Sequence, residues 1–141
     1  MIDYKLIAPK LESLQQYVTY LKSYKGRSVA ELKKDYTLQG AVLRYLHLAI
    51  EASLDIGEML ISGLKLRKPE EARQIILILA EQKIITQEFG RRFAPVAGLR
   101  NILVHEYADI DIERIYDYLH RNLSDFDIFA RQIAQFVKRA Q

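Results

Sequence analysis

LQGAVLRYLHLAIEASLDIGEMLISGL, residues 38–64, carries apolar side chains around most of the circumference of a helix. A helix of that kind must be surrounded by others, so this stretch reads as the central helix of a bundle. The segments on either side have the pattern needed to surround it. Ile7, Leu11, Leu14, Val18 and Leu21 step by three and four. So do Ile112, Ile115, Leu119, Leu123, Phe126, Phe129, Ile133 and Phe136, which marks one long amphipathic face. No stretch alternates with the period of a strand between turn pairs.

Local start signals divide the chain further. Ser28-Val29-Ala30-Glu31 is a capping box, in which serine and glutamate each satisfy a free backbone N–H. Pro69 followed by Glu70 and Glu71 reads as a helix start, with acids at the positive end. Thr86 and Asp111 are suitable N-caps. The expected helices span 3–24, 28–34, 37–64, 69–82, 86–107 and 111–138. Pro95 should kink or restart the fifth, because it removes a backbone donor and crowds the preceding turn. Gly90 and Gly98 lie in that same helix, where each costs roughly 1 kcal/mol against alanine; close helix packing is the expected reason. The fold class is all-α, a bundle of about five to six helices around an up-and-down four-helix core. A single domain is expected over residues 1–141, without repeats or linkers.

Composition narrows the chemistry. Half of the side chains are hydrophobic, which argues against disorder. There is no cysteine, hence no thiol nucleophile, disulfide or zinc–thiolate site. Neither a secretory leader nor a membrane span is expected, and a cytoplasmic location fits. The net charge of +3 is unevenly spread. Residues 1–34 hold seven basic side chains against three acidic ones; residues 109–127 hold six acidic against two basic. The first region suits a polyanion and the second a basic partner, unless both are solvated helix faces.

The stretch richest in chemistry is Arg100-Asn101-Ile102-Leu103-Val104-His105-Glu106-Tyr107. On a wheel of about 100° per residue, Val96, Leu99, Ile102 and Leu103 form the core face. Asn101 and His105 share an outer stripe, and Arg100 and Tyr107 share another. Arg100 and His105 are about 140° apart, so one helix does not bring them face to face. Two copies crossing at a two-fold axis would, and Val104, apolar but off the core face, fits such an interface. Arginine is a permanent cation that holds phosphate, and an ordinary histidine exchanges its proton near pH 6.5. RNA carries its own nucleophile in the 2′-OH, so this pair needs neither a metal nor an enzyme nucleophile to cut it. His105 would move the proton, Arg100 would stabilise the charged phosphorane, and Asn101 would orient the histidine or bind a phosphate oxygen. His47 shares a polar seam with Arg44 and Glu51, and His120 reads as a structural or surface residue.

Ala97-Gly98-Leu99-Arg100-Asn101-Ile102-Leu103-Val104-His105-Glu106-Tyr107 closely resembles the R-N-x3-H-x-Y signature of HEPN-domain toxins of the HepT type. Residues 48–57 and 69–82 match in character as well. The resemblance implies a HEPN-type bundle that pairs as a homodimer, with the motif helices lining a cleft. It implies a metal-independent, cofactor-free endoribonuclease that is a toxin, with Arg100 and His105 as the catalytic pair and Asn101 beside them. It also implies a minimal nucleotidyltransferase antitoxin that transfers AMP to the motif tyrosine, Tyr107. An adenylate there would place an anion and a bulky base in the RNA cleft. Glu51 and Asp55, one turn apart, either line the cleft, bind Arg100, or are helix-surface acids or members of a salt bridge within the bundle. Lys65, Arg67, Lys68, Arg91 and Arg92 are candidates for steering RNA, with Arg91 and Arg92 preferred as the pair nearest the motif. The alternative is a HEPN module that binds nucleotides or supports a nucleotidyltransferase without cutting RNA.

Overall fold

The computed structural model describes residues 3–105 and 109–140. Among these described residues eight α-helices follow in order: α1 (Tyr4–Ser23), α2 (Val29–Lys34), α3 (Tyr36–Gly63), α4 (Ala72–Glu81), α5 (Gln87–Phe93), α6 (Val96–His105), α7 (Ile112–Arg121) and α8 (Ser124–Ala140). No strand occurs among the described residues. The hub is α3, which packs against α1, α4, α6 and α8. It buries side chains on nearly every side, among them Val42, Leu46, Ile50, Ile56 and Leu60. The buried residues of all eight helices join in one cluster. This all-α bundle is the architecture the apolar pattern predicts.

The caps explain most of the boundaries. Ser28 and Glu31 form the expected box, and the Arg27 guanidinium, hydrogen-bonded to Glu31, holds that carboxyl below its ordinary range, helped by the Ser28 N–H. Thr86 accepts from the Phe89 N–H at 3.2 Å, and the Asp111 carboxylate accepts from the Glu113 N–H at 3.1 Å. α3 starts on a further cap, the Asp35 carboxylate accepting from the Leu38 N–H at 3.0 Å.

Three expectations are corrected. α4 begins at Ala72, not at Pro69. Proline fixes a φ that serves extended chain as well as helix, and the Gln74 side chain holds Glu70 outside the helix by accepting its N–H at 2.6 Å. The expected helix over 111–138 is two helices, with the chain turning at Asn122 and Leu123. The Asn122 carbonyl there accepts from the Asp125 N–H at 2.9 Å. The apolar spacing runs through the break because Leu119, Leu123 and Phe126 are all buried on both sides of it. Finally, Gly90 is a packing glycine and Gly98 is not. A Cβ on Gly90 would meet the Ala80 Cβ at 2.5 Å, whereas one on Gly98 would meet nothing within 4 Å.

Pro95 does restart the chain. Its carbonyl accepts from the N–H groups of Gly98 and Leu99, at 3.0 and 3.3 Å, so α6 begins anew after α5 ends at Phe93. α5 is anchored by Phe93, whose ring stacks on Phe89 and Phe129 with centroids 5.1 Å away in each case.

Candidate active site

α6 displays the site. It buries Val96, Leu99 and Leu103, as the wheel requires, and Ala97 as well, against α3 and α4; Ile102, expected on that face, is only half-buried because it lies at the edge of the core stripe, and Asn101, Val104 and His105 turn outward. Val104, apolar, is 44% exposed. Arg100 lies between the two faces and points toward α3. Its Nε donates to Glu51 Oε1 at 2.7 Å, and its Nη1 donates to Asn101 Oδ1 at 3.2 Å. Both partners of the Arg100–Glu51 pair keep about a third of their side-chain surface exposed. Glu51 therefore aims the guanidinium without enclosing it, leaving other N–H groups open to a ligand.

Of the alternatives for the two central-helix acids, Glu51 binds Arg100, while Asp55, one turn on, pairs with Lys10 of α1 at 3.5 Å. His105 is the last residue of α6 and exposed. No contact within the described chain joins it to Arg100, in keeping with the angle between them on the wheel. Arg91 and Arg92 close α5 and part company: Arg91 is exposed, whereas Arg92 pairs at 2.7 Å with Asp125, a carboxylate only 2% exposed. Tyr107, the expected AMP acceptor, lies outside the described residues.

The structure adds two residues to this group. His47 Nε2 is 3.5 Å from Glu51 Oε1, the oxygen that also holds Arg100, and Arg44 Nη1 is 3.5 Å from His47 Nδ1. A continuous polar chain thus runs Arg44–His47–Glu51–Arg100–Asn101 from α3 to α6. Its signal was present as the seam of Arg44, His47 and Glu51 on one helical stripe; what the seam faces depends on tertiary packing. His120 has the structural place expected of it, with its ring nitrogens 2.9 Å from the Tyr116 carbonyl and 2.8 Å from that of Lys25.

Among the described residues, no three His, Asp or Glu side chains converge as a metal cage, and no helix is long and apolar enough to cross a membrane.

Residues 14–133 match the model of the family described as Ribonuclease HepT-like. The chain belongs to that family. Among HepT-like relatives, it is 30% identical over 136 residues to the tRNA nuclease HepT of Aphanizomenon flos-aquae, covering 96% of this chain and 92% of that one. It is 27% identical over 124 residues to the mRNA nuclease HepT of Shewanella oneidensis, covering 88% of this chain and 92% of the relative. A solved structure of the tri-AMPylated Shewanella oneidensis HEPN toxin in complex with MNT antitoxin superposes with a TM-score of 0.83 and 27% identity, over 96% of this chain and 99% of that one. The enzyme class that goes with the HepT-like family is endoribonuclease.

Proposed function

We propose that this HepT-like chain is the toxin of a HEPN/nucleotidyltransferase pair, and that it cuts cellular RNA, tRNA or mRNA, without a metal. The observation that carries the reading is Arg100. It is an arginine held at 2.7 Å by a carboxylate of the central helix, on the same outward helix as an exposed His105. In the reaction the substrate 2′-OH attacks phosphorus and the P–O5′ bond breaks. His105 takes the 2′ proton or protonates the leaving 5′ oxygen, and Arg100 carries the charge gathering on the phosphoryl oxygens. The products are a 2′,3′-cyclic phosphate and a free 5′-hydroxyl.

Val104 is exposed between Asn101 and His105, which supports pairing of two chains through this face of α6. Arg100 of one copy then stands near His105 of the other. For neutralisation, a nucleotidyltransferase antitoxin moves AMP from ATP to the Tyr107 phenol, releasing pyrophosphate. The AMPylated relative in complex with its antitoxin supports this step.

The test is incubation of the purified protein with total cellular RNA in EDTA, beside Arg100→Ala and His105→Ala. Discrete cyclic-phosphate fragments from the wild type alone are expected, with both variants keeping wild-type circular dichroism. Intact protein of unmodified mass that leaves RNA uncut would overturn the proposal in favour of a nucleotide-binding or scaffold role.

A further inference from the structure

Beside Asn101 the surface opens into a hollow of ≈ 430 Å³, floored by Ala94, Pro95, Ala97 and Gly98, with Arg73 of α4 and Arg114 of α7 on its rims. A second hollow of ≈ 380 Å³ continues from it, sharing Pro95 and Arg114 and running on to Arg121. Arg73, Arg114 and Arg121 are all exposed, and none forms an ion pair with a carboxylate of the described residues. Arg92 lines the second hollow too but is already matched by Asp125. Glu71 and Asp117 also lie on the walls.

The floor offers a second, independent observation. Gly98 sits in the first turn of α6 without a positive φ, and a Cβ there would meet nothing within 4 Å. Neither backbone conformation nor internal packing calls for glycine, and glycine is a poorer helix former than alanine. What it leaves is bare backbone at the bottom of a groove that starts at a motif residue and is rimmed by arginines.

We propose that this double hollow is a binding track for single-stranded RNA flanking the cut site. Arg73 and Arg114 grip successive phosphates, and Gly98 lets the nucleotide next to Asn101 lie close against α6. Guanidinium forks match phosphate oxygens. The wall carboxylates of Glu71 and Asp117 accept hydrogen bonds from the amino groups of splayed bases, which an unpaired strand presents and a duplex hides. The proposal rests on the endoribonuclease reading and extends it: the track would decide which strands reach Arg100 and His105.

The test is equilibrium binding, so that it stands apart from cleavage. A labelled short single-stranded RNA is titrated with the non-cleaving His105→Ala protein, with the same protein carrying Arg73→Ala and Arg114→Ala, and with a charge control carrying Lys138→Ala on the far end of α8. Kd is followed across salt concentrations and native mass by light scattering. For the double arginine change, Kd should rise about ten-fold at moderate salt, and the slope of log Kd against log salt should become shallower by about 1 to 1.5, as expected for two lost contacts to a single strand. A Kd and slope equal to those of the Lys138→Ala control would overturn the track. So would a change of native mass in the double variant, which would assign the groove to a contact between copies of the chain. Failure of the nuclease reading shows separately, as uncut RNA in the EDTA assay.

Discussion

At the scale of the residue, the decisive contact is Arg100 to Glu51. A permanent cation at a helix surface samples many rotamers, and the carboxylate at 2.7 Å selects one. Glu51→Gln keeps the shape but removes the charge that aims the guanidinium. We expect kcat to fall by roughly 100-fold, as for a misplaced catalytic group, with the melting temperature nearly unchanged because the pair is partly solvated. A single-turnover assay beside a thermal melt separates the two effects. His47→Ala should show the same signature in milder form, since His47 touches the same Glu51 oxygen from the other side.

Much of this site was legible from residue types. Arg100, Asn101, Val104 and His105 announced an outward polar face, because the apolar positions Val96, Leu99 and Leu103 left them no other. The role of Glu51 stayed open among alternatives, and His47 read as a bland seam, for one reason. Both lie 49 or more positions from Arg100 in the chain, and periodicity on one helix says nothing about which neighbouring helix its polar stripe will meet.

At the scale of the element, three helical glycines that look alike in sequence behave differently. Gly90 lets α5 press against α4, so Gly90→Ala should destabilise by about 1–3 kcal/mol through the clash with the Ala80 methyl. The exchange of Ala80→Gly with Gly90→Ala should recover part of the loss. Gly57 likewise admits the Ile75 side chain to α3. Gly98→Ala should stabilise by about 0.5–1 kcal/mol, because the added methyl finds open space and helix propensity improves. Chemical denaturation of the three variants checks all of this. Helix ends show the same limit of local reading. Ser28, Thr86 and Asp111 cap as their types demand. The break at Asn122 leaves no trace in the apolar pattern, because burial on both sides preserves the three–four rhythm across it.

At the scale of the molecule, the basic first segment and the acidic later one meet each other. Lys22 pairs with Asp127 at 2.8 Å and Lys33 with Glu113 at 2.6 Å, joining α1 to α8 and α2 to α7. Sequence charge counting left external partners open for both segments; the fold spends part of each charge internally. Exposed pairs of this kind add little stability.

A stronger pH effect should come from Tyr118, packed edge-on against Phe126. Burial, and then the nearby Asp125 charge, push its phenol well above the ordinary tyrosine range. A group whose folded pKa is raised contributes stability that is complete below its unfolded pKa, about 10, and is lost as pH climbs beyond it. Tyr118→Phe should therefore flatten the decline of the melting temperature above about pH 10 relative to wild type. Val104→Glu should leave the fold intact, since the side chain is already 44% exposed. On the proposed pairing through α6, it should turn a dimer into a monomer in light scattering and lower RNA cleavage in parallel. A dimer of unchanged mass would place the interface elsewhere.

The link from Glu51 to Arg100 spans 49 positions and joins the hub helix to the sixth. A chain still emerging from the ribosome has its arginine unaimed until both helices have docked. For the endoribonuclease activity proposed above, that is a built-in delay: no guanidinium is aimed at a phosphate before the hub helix and the sixth have both folded.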